Sequence, residues 1–523
     1  MPAEASAPPL SERLERVEQP PAPPAPSPRP ATAAEWVALT LTLCAGVGLR
    51  LFFMTGPVGS DDTRYLDFAD RFVSLRPFTD LDHAAGRLLF LILIGVPYKV
   101  GGNAYYATLA NIGYSALTDL LVASFVYRTM GIRAALVAAA AMAFNALNVL
   151  YPGTILPDTT AGLFLTAATI ALWSAQRTKE PRGHRSRVLL SGVLTCLAYM
   201  CKDPGILFVP VGAALLFLAP REPAWRERLL GPALFVGVFA AVFALDATVY
   251  RIFTGHFDYK ALATAACHNS SIQPVGLGQL LRGGAGRLLS SFRITAMGGA
   301  LLPLVIGVPA LAAAGLLRRG WLVFSAAGLF VIFYSFFGTT GFSKLYPIPY
   351  QPRYLQPVVP LVAICLAALS ARFVGAATSR PAWVAPLFLG AVLFAHDFRV
   401  MRDAAGTLYF APAMKNLRTA VELLHADGLP VFVSPLLQQH SRHFLRPEDH
   451  RLLQIIPADG PLPAGYYVLS EHDDLAVRRD ELTRLPVKLR VDLDWRELNR
   501  LRELRHRGTD QAVVVYEKAE PQR

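Results

Sequence analysis

The chain has 523 residues, 53% of them hydrophobic, and a mean hydropathy of +0.37. That is too apolar for a soluble protein of this length; long apolar runs joined by short charged links describe a polytopic membrane protein. The formal net charge of +12 does not indicate nucleic acid, because the basic residues collect in particular loops between apolar runs and not on one face or tail, which is the positive-inside pattern of membrane proteins.

Residues 1–30 are rich in Pro and Ala, with Pro20-Pro-Ala-Pro-Pro24, and cannot bury a core. Residues 1–33 are expected to be a disordered cytoplasmic tail. The first apolar run begins near Trp36, late for a secretory signal and without an Ala-x-Ala cleavage site, so it is expected to be a retained anchor. Runs of spanning or nearly spanning length follow at about 36–56, 105–127, 133–150, 158–175, 188–202, 204–219, 229–251, 297–317, 321–338, 354–371 and 382–398. At about 20 residues per ~30 Å of hydrocarbon these predict roughly eleven transmembrane helices, some of them short. Residues 83–100 are also apolar, but counting them as a span would place the basic loop Arg177–Arg187 outside. Treated as interfacial, with the N-terminus inside, they leave every strongly basic short loop cytoplasmic.

The outward loops are then 57–104, 151–157, the turn at Lys202-Asp203, 253–296, 339–353 and everything after about 399. The expected fold class is therefore an α-helical polytopic membrane protein with a small C-terminal α/β extracytoplasmic domain: residues 34–398 in the membrane, with the external loop 57–104, and 399–523 outside it. In that last region helical patterns at 411–426 and 494–507 alternate with strand-like runs at 430–434, 465–470 and 511–516.

Acids, cations and aromatic rings gather on the outward rim. Asp61, Asp62, Arg64 and Tyr65 stand just beyond the first span, followed by Asp82, His83 and Arg87. Asp158 closes the second outward loop, Lys202-Asp203 caps the next hairpin, and Lys344, Tyr346, Tyr350, Arg353 and Tyr354 flank a later span. A carboxylate pair is costly in lipid and belongs at the rim or in a wet cavity. Plainer roles exist for each group. Asp61, Asp62 and Asp158 can cap helices, Arg87 and Lys202 can snorkel to headgroups, and Arg353 with its tyrosines can anchor a span. Arg50 reads as snorkelling or structural, and Asp119 as bonded within the bundle. The histidines His440, His443 and His450 fit no standard metal spacing, and the five cysteines, mostly in apolar runs (Cys44, Cys196, Cys201, Cys365), show neither metal nor disulfide spacing. Asn269-Ser-Ser271 is a formal glycosylation sequon.

Several of these segments resemble the GT-C membrane glycosyltransferases, a group that includes protein O-mannosyltransferases and the aminoarabinose transferase of lipid A. Asp61-Asp-Thr-Arg-Tyr65 is similar to their Asp-Glu-x-x-Tyr element. Asp82-His-Ala-Ala-Gly-Arg87 is similar to a His-Pro-Pro-x-Gly-Lys stretch, with the prolines absent, the spacing one residue shorter and Arg in place of Lys. Tyr151–Asp158 resembles the second acidic loop, and Arg353-Tyr-Leu-Gln-Pro-Val-Val-Pro360 the Arg-Tyr-Leu-x-Pro-x-x-Pro start of a late span. The combination covers residues 36–398; the C-terminal region matches no known pattern.

The resemblance implies an inner-membrane enzyme that moves a sugar from a polyprenyl-phosphate donor to an acceptor hydroxyl on the non-cytoplasmic face. Asp61 would take the acceptor proton, with Asp62 in support. Arg64, Tyr65, His83, Arg87, Asp158, Lys202, Arg353 and Tyr354 would bind substrate, the cations meeting the leaving phosphate. The expected partners are the bilayer, the lipid-linked donor and a glycan, lipid or protein acceptor; no nucleic acid and no cofactor is expected, metal use being left open. The competing class is a flippase or transporter, which would place its ionisable groups at mid-membrane and carry repeated halves.

Overall fold

The computed structural model describes residues 31–56, 61–178, 180–218, 225–269, 273–294, 321–339, 345–348, 351–376, 395, 397–398, 401, 411–424, 429–441, 445, 447–470, 478–491 and 513–518. Helix α1 (Ala33–Phe52) starts at a capping box in which the Glu35 amide donates to the Thr32 hydroxyl and the Thr32 amide to the Glu35 carboxylate. Next come α2 (Asp61–Val73), α3 (Leu88–Gly101), α4 (Ala104–Met130), α5 (Ile132–Ala143) and α6 (Ala146–Leu150). A 3₁₀ turn at Tyr151–Gly153 leads to α7 (Asp158–Arg177) and α8 (Pro181–Cys201). Then follow α9 (Pro204–Phe217), α10 (Trp225–Thr254), α11 (Tyr259–Asn269), α12 (Leu277–Ile294) and α13 (Leu322–Phe337), and a 3₁₀ segment, Pro352–Val358, opens α14 (Val359–Ala376).

Among the described residues, four helical segments are long and apolar enough to cross a membrane: Ala33–Phe52, Ala104–Met130, Leu229–Thr254 and Arg353–Ala371. This is fewer than the eleven runs counted in the sequence, for particular reasons. The run 133–150 is not one straight span. It breaks after Ala143 and bends by 67° because Asn145 turns its side chain onto the amides of Leu147 and Asn148 and caps a new helix. Helices α7 and α8 have 20 and 21 residues but carry polar or charged turns, whereas α9 and α13 are apolar but only 14 and 16 residues long. The runs 297–317 and 382–394 lie outside the described residues, as do the N-terminal tail, Lys344, Tyr350, His443, Ser270-Ser271 and the helical pattern at 494–507. Of the stretch 83–100, residues 83–87 form a turn and the rest α3, 14 residues or about 21 Å at 1.5 Å per residue. It packs between α2, α4 and α8.

Helices α7 and α8 form a long antiparallel hairpin, and α10 lies against α8. Gly192 permits that last approach, since a Cβ there would come within 2.7 Å of the Phe235 carbonyl. On the other side, α1, α4, α5 and α14 pack together. A buried polar knot ties this half to the first loop. Arg50, at the end of α1, lies 2.7 Å from Asp119 of α4 and donates to the Asn148 carbonyl at 2.8 Å; the Asn148 amide in turn donates to Asp119. Just beyond, the amides of Thr55 and Gly56 donate to the Gly153 carbonyl, so the chain leaves α1 along a fixed path toward α2.

Beyond the bundle, α15 (Ala411–Leu424) precedes a five-stranded sheet of order β2-β1-β3-β5-β4. Its strands are β1 (Val431–Val433), β2 (Leu453–Ile455), β3 (Gly465–Ser470), β4 (Val487–Val491) and β5 (Val513–Lys518). Strand β1 runs parallel to β2 and β3, while β3–β5 and β4–β5 are antiparallel. Alternation sends Val431 and Val433 to one face, under Leu417, Val421 and Leu424 of α15, and Phe432 to the other, where it stacks on Tyr467. The strand-like runs at 430–434, 465–470 and 511–516 fall on β1, β3 and β5.

Removing one member of a buried ion pair leaves the other charge uncompensated. Arg50→Met is expected to cost about 3–5 kcal/mol, read as a lower melting temperature of the detergent-solubilised chain, with most of the loss recovered by Arg50→Met/Asp119→Leu. A single variant that melts like the wild type would contradict the structural role of the pair.

Candidate active site

One end of the bundle collects the ends of several helices. Asp61 and Asp62 form the first turn of α2, where carboxylates also complement the helix dipole. About 100° of helix rotation separates them. Asp62 is fully buried, while the Asp61 side chain is 25% exposed and faces the rim. One turn on, Tyr65 is buried edge-on against Phe90 of α3.

The turn between α2 and α3 is bound from below by two tyrosines that leave no sequence signature. The Tyr259 hydroxyl donates to the Asp80 carbonyl at 2.6 Å and accepts the Asp82 amide at 3.3 Å. The Tyr250 hydroxyl donates to the Ala85 carbonyl at 3.1 Å and accepts the Leu88 amide at 3.0 Å. The two rings stack, centroids 5.3 Å apart. Thus held, the turn presents Asp82, His83 and Arg87 in one row. Asp82 accepts from Arg64 Nε at 2.8 Å and from the Ala84 amide. His83 stands between two carboxylates, its Nε2 3.8 Å from Asp61 and its Nδ1 3.6 Å from Asp82.

Arg353, buried at the start of the late 3₁₀ segment, donates to Asp61 Oδ2 at 2.9 Å. Burial alone would raise the Asp61 carboxyl. The guanidinium of Arg353, then His83 and Arg87, overcome that effect and hold it at about 2. The next residue, Tyr354, offers its ring face to the Lys202 ammonium at 4.1 Å. Lys202, in the turn after α8, is buried and ion-paired with Asp158 at the start of α7. A polar lattice fixes that start: the Gln356 amide donates to the Thr159 hydroxyl at 2.9 Å, and the Asn111 amide to the Thr154 carbonyl at 2.7 Å. Beside Lys202 and Asp158 a cavity of about 20 Å³ reaches down between Leu165 and Val331, room for one water.

The structure thus joins Asp61, Arg64, Tyr65, His83, Arg87 and Arg353 in one cluster and Asp158, Lys202 and Tyr354 in another, with Arg353-Tyr354 as the hinge. Asp62 is set into the protein beside the first. Arg64, Lys202, Arg353 and the further Lys260 each have a carboxylate within 4 Å. Among the described residues Arg87 has none. Its guanidinium lies 5.0 Å from the centroid of the Tyr65 ring, and its charge acts on Asp61 and Asp203. Among the described residues no group of three or more His, Cys, Asp and Glu could hold a metal ion. His450 hydrogen-bonds the Gln438 carbonyl.

Known proteins bear on this arrangement. Residues 87–258 match the family model of dolichyl-phosphate-mannose-protein mannosyltransferases. No curated protein sequence matches the chain. Among solved structures, the fold is similar to that of ArnT from Cupriavidus metallidurans bound to undecaprenyl phosphate: 15% identity, TM-score 0.55, 94% of this chain and 100% of that one covered. It is also similar to the Archaeoglobus fulgidus oligosaccharyltransferase in complex with Zn and sulfate, at 14% identity and TM-score 0.51 over 78% of this chain and 61% of that one. At such identities the likeness to solved structures is one of fold. The matched segment, residues 87–258, and the fold are both similar to those of membrane glycosyltransferases. Both likenesses are to proteins of the GT-C superfamily.

The Asp61–Arg353 pair has a measurable consequence. A carboxyl held at about 2 is ionised throughout the physiological range and protonates only as the pH falls through that value. Arg353→Met removes the first of the charges opposing burial, so the Asp61 titration is expected to move upward by at least about one pH unit. Infrared titration of isotope-labelled aspartate, with Asp61→Asn to assign the band, reads this. An unmoved band would contradict the coupling.

Proposed function

We propose that the chain transfers a sugar from a polyprenyl-phosphate donor to an acceptor hydroxyl at the non-cytoplasmic face, with inversion at the anomeric carbon. The observation that carries this reading is Arg87, a cation without a carboxylate partner among the described residues, lying over the Tyr65 ring within electrostatic reach of both Asp61 and Lys202. A cation in that position, with aromatic surface beneath it and paired charges nearby, suits a phosphate that arrives from the membrane. The fold likeness to a protein bound to undecaprenyl phosphate supports the same class of ligand.

In the proposed step the acceptor oxygen attacks the anomeric carbon as the bond from that carbon to the phosphate oxygen breaks. The phosphate leaves with the electron pair, stabilised by Arg87 with Lys202 and Arg353, and Asp61 takes the acceptor proton. A carboxylate held as low as Asp61 is a weak base in the empty site. Phosphate binding would share the cations that depress it and return basicity to Asp61 when the donor is in place, which ties proton removal to a loaded site. A phosphate leaving group needs no general acid, so one carboxylate suffices, in contrast to the acid–base pairs of glycosidases.

The orientation rests on the hairpin of α7 and α8. Asp158 begins α7 and Arg177 ends it, about 30 Å away for 20 residues. The basic loop 176–187 therefore lies at the opposite end of the hairpin from the site, which supports a cytoplasmic loop and an extracytoplasmic site in an inner membrane. The N-terminal tail would then be cytoplasmic and residues 399–523 extracytoplasmic, where their sheet could help select the acceptor.

Asp61→Asn keeps the size of the side chain and removes its basicity. Transfer from a polyprenyl-phosphate-linked sugar by the purified chain is expected to fall by about 10²–10⁴-fold, the usual worth of a general base. Transfer at the wild-type rate would remove Asp61 from the role. Movement of lipid-linked sugar across liposomes with no cleavage of the sugar–phosphate bond would replace the reading by a flippase.

A further inference from the structure

Lys260, near the start of α11, lies beneath the site and has no part in the transfer step described above. Its side chain is nearly buried and touches both cation-bearing turns. The stem runs past Gly86, next to Arg87: a Cβ built on Gly86 would stand 3.3 Å from Lys260 Cγ. The ammonium reaches the other turn. It donates to the Tyr199 carbonyl in the last turn of α8 at 2.6 Å, lies 3.5 Å from the centroid of the Tyr199 ring, and is 3.3 Å from Asp203 Oδ1. Cations are favoured at a helix C-terminus, where carbonyls lack intrahelical partners. Asp203 follows Lys202 directly and feels the charges of both Lys260 and Arg87. Asp246 on α10 lies within electrostatic reach of the same ammonium from below. The preceding residue, Tyr259, already grips the 80–82 backbone.

We propose that Lys260 is a positioning residue: it sets the separation of Arg87 and Lys202 so that the two cations converge on one phosphate. Its stem packs against the Arg87 turn and its head fixes the Lys202-Asp203 turn, so one side chain spans the gap between two loops more than a hundred residues apart in sequence. The inference rests on the phosphate-binding role proposed for those two cations. It adds that their spacing is controlled from the start of α11, by a residue that does not itself touch the donor.

The test measures the affinity of the full-length chain, in detergent, for a polyprenyl monophosphate. Lys260→Met retains the length of the stem and loses the charge; it is expected to weaken binding by about tenfold or more, in a chain that melts somewhat lower than the wild type because Asp203 loses its partner. Lys260→Arg, which restores a cation, is expected to return the affinity to within about threefold. Gly86→Ala presses a methyl on the stem, so it is expected to weaken binding in the wild type and to add little in a Lys260→Ala background, the non-additivity of a direct contact. Wild-type affinity in Lys260→Met overturns the inference. Should that variant not fold, wild-type affinity in Gly86→Ala, or full additivity of Gly86→Ala with Lys260→Ala, overturns it instead. Failure of the wild type itself to bind the lipid phosphate overturns the phosphate role of Arg87 and Lys202, a separate outcome.

Discussion

Charge pairing at the end of a low-dielectric bundle is the constraint on which the site depends. An uncompensated charge in such surroundings costs several kcal/mol, so cations placed there by sequence must find carboxylates or remain within reach of water. Arg353 finds Asp61, Lys202 finds Asp158, Arg64 finds Asp82 and Lys260 finds Asp203. Each pair joins segments that are distant in the chain or lie on separate elements, and each therefore fixes a loop as well as neutralising a charge. Of the cations gathered at the site, Arg87, half-buried over the Tyr65 ring, is one these pairings leave over among the described residues. In the proposed reading, an anion supplied from outside completes the pattern.

The scaffold serves that pattern at two levels. Deep in the bundle, the Arg50–Asp119–Asn148 knot joins α1, α4 and α6 and directs the chain into α2, where Asp61 begins. Nearer the site, Tyr250 and Tyr259 hold the 80–88 turn by its backbone, and Lys260 connects that turn to the one after α8. The donors and acceptors used are largely main-chain groups, whose positions are set by helix ends and tight turns and vary little with side-chain motion. If phosphate binds as proposed, charge held in place by such loops does not have to reorganise when the leaving group departs.

Much of this cluster is legible in the sequence. Charge topology brings the segments around Asp61, Arg87, Asp158, Lys202 and Arg353 to one end of the bundle, and the structure joins them there through contacts between residues as far apart as Asp61 and Arg353. Strand alternation at Val431-Phe-Val433 is likewise visible, because period-2 burial is a property of residue order. Other features are not legible, for physical reasons. Asp61 and Asp62 are adjacent and chemically alike; only the rotation of α2 divides them into a rim carboxylate and a buried one. The break at Asn145 depends on a side chain choosing its own backbone over the helix, which composition does not reveal. Tyr250 and Tyr259 act through hydroxyl contacts to main-chain atoms, and Lys260 through contacts to two loops remote in sequence, so no residue spacing announces them.

A structure of the chain with a polyprenyl-phosphate-linked sugar bound tests the central claim most directly. The phosphate is expected within hydrogen-bonding distance of the Arg87 guanidinium, between Asp61 and Lys202, with the anomeric carbon turned toward the Asp61 carboxylate. A phosphate seated elsewhere on the bundle, with Arg87 still lying over Tyr65 and making no contact to it, would contradict the account.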